Sequence, residues 1–169
     1  MVAASGRPLS EWVCLALVAE APTHGWAVAQ LLASEGEIGR VWSLSRPLTY
    51  RALDQLIADT VVSRSGVEHA RGPARTILTA TPNGKRAARK WLRTPIEHLR
   101  DVRTELLCKV LLSQRAGIDP RALLEAQKVE FAPRFEALAR RARAKDADVV
   151  DRWRHATADA ARRFLEGET

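Results

Sequence analysis

The sequence predicts a mainly α-helical protein with one short β-hairpin, the hairpin lying inside an N-terminal block of four helices and a purely helical block following it. Three observations carry this prediction. Apolar residues recur at helical spacing through most of the 169 residues. The pattern changes to short β-branched runs only around a Gly/Pro loop between residues 60 and 79. Charge is also uneven: from Arg40 to Arg93 eleven basic side chains face three acidic ones, whereas residues 94–169 carry fifteen basic and thirteen acidic. A basic block beside a balanced one marks a polyanion-binding half and a half with another task.

The elements follow in order. Residues 10–20 read as a helix capped by Ser10, with Trp12, Val13, Leu15, Ala16, Leu17 and Val18 apolar on nearly every side, so burial on most sides is expected. Ala21-Pro22 ends it, because proline cannot continue the hydrogen-bond ladder. Thr23 is the expected cap of a second helix running to about Ser34, which the Glu35–Gly39 stretch breaks. Ser45 caps a third helix with Pro47 in its first turn; Leu48, Ala52, Leu53, Leu56 and Ile57 form its apolar stripe, and Arg46, Thr49, Tyr50, Arg51 and Asp54 its other face. Residues 60–64 and 75–79 are extended, around a polar loop from Ser65 to Pro73. Thr81-Pro82 opens a fourth helix through Leu92, which Thr94-Pro95 ends.

Three helices, a hairpin and a linking helix in this order make a winged helix-turn-helix, with the third helix presented to a major groove about 12 Å wide. Residues 1–94 are therefore expected to form a DNA-binding domain. Residues 95–169 read as three further helices. Leu99 to Leu111 supply the apolar positions of the first, and the second starts after Asp119-Pro120 and carries Leu124, Gln127, Phe131, Phe135, Leu138 and Ala142, with Pro133 expected to kink or break it. The third has Val150, Trp153, Thr157, Ala160 and Phe164 at steps of 3 and 4, a coiled-coil-like seam. Such seams suit a helical dimerisation module, with Leu106, Val110, Phe131, Phe135, Leu138, Val150, Trp153, Thr157 and Phe164 as its contact residues. A homodimer also suits a palindromic operator, since two recognition helices then meet half-sites about one helical turn apart.

Other classes find no support. The longest apolar run, Trp12–Ala19, is far short of the roughly 18–20 residues of a membrane span, and its flanks do not suit an export signal, so a cytoplasmic address is expected. Cys14 and Cys108 are isolated on apolar faces and read as reduced core residues. The four histidines lie far apart, so neither a metal nor any other cofactor is expected. No nucleophile-base set, phosphate-binding glycine loop or paired carboxylates argues for an enzyme.

The sequence from Trp12 to Arg93 resembles the PadR-like family of transcriptional regulators. The resemblance lies in Leu15-Ala16-Leu17-Val18 leading to Pro22-Thr23-His24-Gly25-Trp26, in Leu48-Thr49-Tyr50-Arg51-Ala52-Leu53 with Leu56, and in Gly72-Pro73-Ala74-Arg75 followed by Thr81-Pro82-Asn83-Gly84 and Trp91-Leu92. Trp26 departs from the family's usual Tyr, Pro47 from a usual Gly or Ser, and Leu78 and Ala80 from a usual Tyr and Leu. Asp59-Thr60 stands where a glycine is expected after the recognition helix. The resemblance implies a repressor of nearby genes, and a small hydrophobic or aromatic effector as a further partner. Double-stranded DNA is then expected to meet Ser45, Arg46, Thr49, Tyr50 and Arg51 on the third helix, Arg71 and Arg75 in the wing, and Thr23 and His24 at the start of the second helix. For His24 a structural role in a tight turn stands as the alternative, and the basic run Lys85, Arg86, Arg89 and Lys90 reads as a solvated face. Trp12 and Trp91 are the candidate effector residues, with core packing as the competing reading. The competing function is a winged-helix dimer that serves as a protein-interaction or effector-binding module without specific DNA readout.

Overall fold

The computed structural model describes residues 6–68 and 74–168. Helix α1 (Leu9–Glu20) buries eight of its residues, and α3 (Arg46–Ala58), α4 (Pro82–Arg93), α5 (Leu107–Arg115) and strand β3 (Arg75–Ala80) all pack against it. Its all-round apolar sequence thus makes it the axle of the N-terminal half. It starts at Leu9, before the expected cap: the Pro8 carbonyl accepts from the Glu11 and Trp12 amides at 3.1 and 3.2 Å, and no side chain caps it.

The second helix, α2 (Gly25–Leu32), also starts away from its expected cap. Thr23 and His24 form a short strand β1 whose partners are Leu78 and Ile77 of β3, and His24 takes the cap, its Nδ1 accepting from the Ala27 amide at 3.1 Å. Strand β2 (Val62–Glu68) pairs with the other edge of β3, giving an antiparallel sheet of order β1-β3-β2. The wing is thus three-stranded at its base. Strand β2 reaches past the expected Arg64 by accommodating a bulge between Arg64 and Gly66.

On α3 the buried stripe is Thr49, Ala52, Leu53 and Leu56. Thr49 was expected on the outer face, yet it is wholly buried and its hydroxyl donates to the Ser45 carbonyl at 3.1 Å, while Leu48 is half exposed. A threonine that satisfies its hydroxyl on its own helix can enter a core, and Leu48 is turned out in its place. Thr60 follows the helix with φ +57°, the left-handed conformation for which glycine was expected, and its carbonyl accepts from the Thr81 hydroxyl at 3.1 Å. The same hydroxyl accepts from the Gly84 amide at 3.2 Å and so caps α4. A Cβ on Gly84 would lie 2.0 Å from the Val61 carbonyl oxygen, so only glycine allows that helix start to seat on the strand.

After α4 the chain winds through a 3₁₀ turn (Leu99–Asp101) and a π turn (Val102–Leu106) into α5, where a single helix was expected. Residues two apart lie on nearly opposite sides of a helix. Cys108 and Leu112 accordingly join the first core, while Leu106 and Val110 join a second core with Ile96, Leu123, Leu124, Phe131 and Leu165. Helix α6 (Arg121–Ala142) runs unbroken through Pro133, and α7 (Val149–Gly167) packs back along it. The amide of buried Gln127 bonds both the N–H and the C=O of Ile96, at 2.7 and 3.0 Å, and fastens the linker to α6.

The expected dimer seam divides here. Leu106, Val110 and Phe131 are buried in their own chain's second core, with Phe135 and Phe164 partly buried against it. Leu138 is partly buried as well. On α7 the buried residues are Ala158 and Leu165, so the helix is turned from the expected register, and Val150, Trp153 and Thr157 face outward. The α6 stripe is thus met within the chain, whereas most of the expected α7 seam stays exposed.

Candidate nucleic-acid interface

The outer side of α3 presents Ser45, Arg46, Tyr50 and Arg51, all exposed. Among the described residues neither Arg46 nor Arg51 has a carboxylate partner, so both charges remain available to an anion. The ring of Tyr50 leans on the start of α2: a Cβ on Gly25 would lie 2.8 Å from its Cε1 and 3.2 Å from its Cζ. Glycine at position 25 thus sets how closely α2 and α3 approach, with the Tyr50 ring and the Leu53 side chain packed against it.

Beside Tyr50, His24, Trp26 and Arg75 form a second group. The Arg75 guanidinium carbon lies 4.8 Å from the centre of the Trp26 ring, and its Nη1 is 3.4 Å from His24 Nε2. Trp26 is 39 % exposed, unusual for so large an apolar ring. The sequence marked Trp26 only as a departure from Tyr; the visible signal was a bulky aromatic one residue past the tight His24-Gly25 turn. Between these residues, Tyr50 and the wing lies a cleft of about 320 Å³ whose rim includes Asp54 and Arg64. Those two are 3.7 Å apart and well exposed, a contact worth little in water.

Thr23 is partly buried, with its backbone paired to Leu78, and Arg71 lies outside the described residues. Thr49 is closed off from any ligand by its burial. The structure therefore groups His24, Trp26, Tyr50 and Arg75 around one cleft between α2, α3 and β3, and leaves Ser45, Arg46 and Arg51 exposed on α3, with Arg51 lining a separate cleft beside Pro8, Ser10 and Trp42.

Trp12 and Trp91 stack on each other in the first core, ring centres 5.7 Å apart and planes 2° apart. The Trp91 indole donates to Glu105 at 3.1 Å, and the Lys109 ammonium sits 5.1 Å from its ring centre. The Trp12 indole N–H is buried without a hydrogen-bond partner among the described residues. Both rings are core residues, and no ligand-sized gap separates them. Burial, reinforced by Glu11 and Glu105 respectively, pushes the Cys14 and Cys108 thiols up to about 12, which keeps them protonated and unreactive. Among the described residues no group of three His, Cys, Asp or Glu side chains is placed to hold a metal ion, and no helix is long and apolar enough to cross a membrane.

The chain is similar over most of its length to the crystal structure of Bacillus subtilis PadR in complex with operator DNA, at 16 % identity over 94 % of this chain and 93 % of that one, with a TM-score of 0.49. The same protein in complex with p-coumaric acid gives 16 % identity, 95 % and 96 % coverage and a TM-score of 0.47. The structure of smu.1604c from Streptococcus mutans UA159 gives 13 %, 94 % and 96 %, and 0.44. Scores this low say nothing of what the present chain binds. No curated protein matches it. Residues 14–90, from the middle of α1 through α3 and the sheet into α4, match the model described as the transcriptional regulator PadR-like family.

Proposed function

We propose that the chain is a homodimeric, sequence-specific DNA-binding repressor of nearby genes, working in the bacterial cytoplasm and released by a small aromatic effector. Residues 1–94 bind DNA and residues 95–169 dimerise. The observation that carries the reading is the exposed set Arg46, Tyr50 and Arg51 on α3, with Arg75 beside Tyr50 and none of the three arginines ion-paired among the described residues. Arg46 or Arg51 reads guanine by a bidentate pair, worth about 1–3 kcal/mol of discrimination. Ser45, Tyr50, His24 and Arg75 hold phosphates and fix the register.

The dimer rests on the outward face of α7. Val149, Val150 and Trp153 are 70, 48 and 68 % exposed there, a contiguous apolar surface that a second copy covers. The indole N–H of Trp12, without a hydrogen-bond partner among the described residues, supports an effector bearing an acceptor, whose entry requires the Trp12 and Trp91 rings to part. The test is a gel shift on the DNA upstream of the chain's own gene at two salt concentrations. A specific complex that weakens steeply with salt is expected, and is lost on Tyr50→Ala with Arg51→Ala. No shift with the wild type refutes DNA readout and leaves the interaction-module reading.

A further inference from the structure

Neither Trp26 nor Arg75 belongs to either hydrophobic core. Trp26 is 39 % exposed, and Arg75 carries no carboxylate partner among the described residues. An arginine can be held in place in two ways. A carboxylate fixes it through its in-plane N–H groups and cancels its charge. An aromatic ring holds the flat face of the guanidinium and leaves both the charge and the in-plane donors free. With its guanidinium carbon over the Trp26 ring, 4.8 Å from the centre, and no ion pair among the described residues, Arg75 meets an aromatic ring and not a carboxylate.

His24 sharpens the point. Its Nδ1 is used as an acceptor by the Ala27 amide, so in the neutral ring the proton is assigned to Nε2. That nitrogen lies 3.4 Å from Arg75 Nη1, itself a donor. Two donors therefore face each other with no acceptor between them. An anionic oxygen beside the pair accepts from both and resolves the mismatch.

We propose that Trp26 is a positioning residue for DNA binding: it holds the Arg75 guanidinium against its ring, with His24 Nε2 alongside, so that the two donors grip one phosphodiester oxygen at the base of the wing. This rests on the DNA-binding reading above and adds a residue to it. Stacking on Trp26 orders the long arginine side chain before the DNA arrives, so less rotamer freedom is lost on binding.

The test measures the affinity of the full chain for a duplex of about 30 base pairs from upstream of its gene across a salt series, using wild type, Trp26→Ala, Trp26→Phe, Arg75→Ala and the Trp26→Ala/Arg75→Ala double variant. Arg75→Ala is expected to lower the slope of log affinity against log salt by about 1, the loss of one phosphate contact. Trp26→Ala should weaken binding by about 3- to 10-fold and lower the slope in the same direction, in keeping with the modest size of a cation–π contact. Trp26→Phe keeps a ring under the guanidinium and should restore affinity to within about 2-fold of wild type. The double variant should bind like Arg75→Ala alone, because Trp26 acts through Arg75. Additive losses in the double variant, or a Trp26→Ala protein with unchanged affinity and slope, overturn the positioning role and leave the DNA-binding reading standing. A wild type that gives no salt-sensitive complex overturns both. Thermal melts of each variant separate loss of binding from loss of fold.

Discussion

The buried Lys109–Glu105 pair joins α5 to the end of α4, and its removal should be costly in a specific way. Lys109 is 1 % exposed and Glu105 8 %, and their charged atoms are 2.9 Å apart. The ammonium also donates to the Thr94 carbonyl at 2.8 Å, and the carboxylate accepts from the Trp91 indole at 3.1 Å. At an effective dielectric of about 20 the pair attracts by about 6 kcal/mol, while withdrawing each ion from water costs several kcal/mol, so the intact pair comes near to breaking even. Burial holds the Lys109 ammonium below the usual lysine range, and Glu105 pulls it partly back. Lys109→Met keeps the volume but strands a buried carboxylate and removes the donor to the Thr94 carbonyl, and is expected to cost about 3–5 kcal/mol. Adding Glu105→Gln removes the orphaned charge and keeps an acceptor for Trp91, so the double variant should return to within about 2 kcal/mol of wild type. Urea unfolding followed by circular dichroism, at one protein concentration, reads both. A Lys109→Met cost below about 1 kcal/mol, or a double variant no more stable than the single, refutes the reasoning.

Four further outcomes follow from the same structure. Thr60→Gly relieves a β-branched residue at φ +57°, and is expected to stabilise by about 0.5–1 kcal/mol after glycine's own entropy cost, read as a higher urea midpoint. Trp153 is 68 % exposed, leaving roughly 170 Å² to be covered and at most about 4 kcal/mol per copy, so Trp153→Ala should raise the dimer dissociation constant by about 100-fold, within that ceiling, in sedimentation experiments. Gly25→Ala places a methyl 2.8 Å from the Tyr50 ring and 3.3 Å from the buried Leu53 side chain, and should both weaken DNA binding and lower the melting temperature as α2 and α3 are pushed apart. Asp59, bonded by Gln55 and Arg7, Asp119 and Asp159, bonded by Arg121 and Arg162, and Asp148, bonded by the Asp151 amide, all hold their protons less firmly than the usual carboxyl at 3.8. Their folded values lie below their unfolded ones, so the stability they contribute is complete above 3.8 and is lost as the pH falls below it; the urea midpoint should stay flat from about pH 7 to pH 5 and drop below about pH 4.

The elements themselves were legible because each has a local cause. An apolar run with no polar face must lie at the centre, and α1 does. Thr81-Pro82 starts a helix by its own backbone chemistry, and α4 begins there, capped by Thr81. The division of charge and the residues Arg46, Tyr50 and Arg51 on one exposed face could also be read from composition and helical period. What the sequence could not determine was which of several permitted partners each side chain takes. Thr49 is compatible with either face of α3 until the core offers it a place and the Ser45 carbonyl takes its hydroxyl. The spacing of α7 allows more than one seam, and only packing against α6 turned Ala158 and Leu165 inward and left Trp153 outside. Thr23 has the chemistry of a helix cap, yet pairing with Leu78, more than fifty residues away in the chain, made it a strand and passed the cap to His24. The same distant strand brings Arg75 over Trp26. Periodicity and capping are short-range physics and are written in neighbouring residues; the choice among seams, caps and cation partners depends on long-range contacts that exist only once the chain has closed on itself.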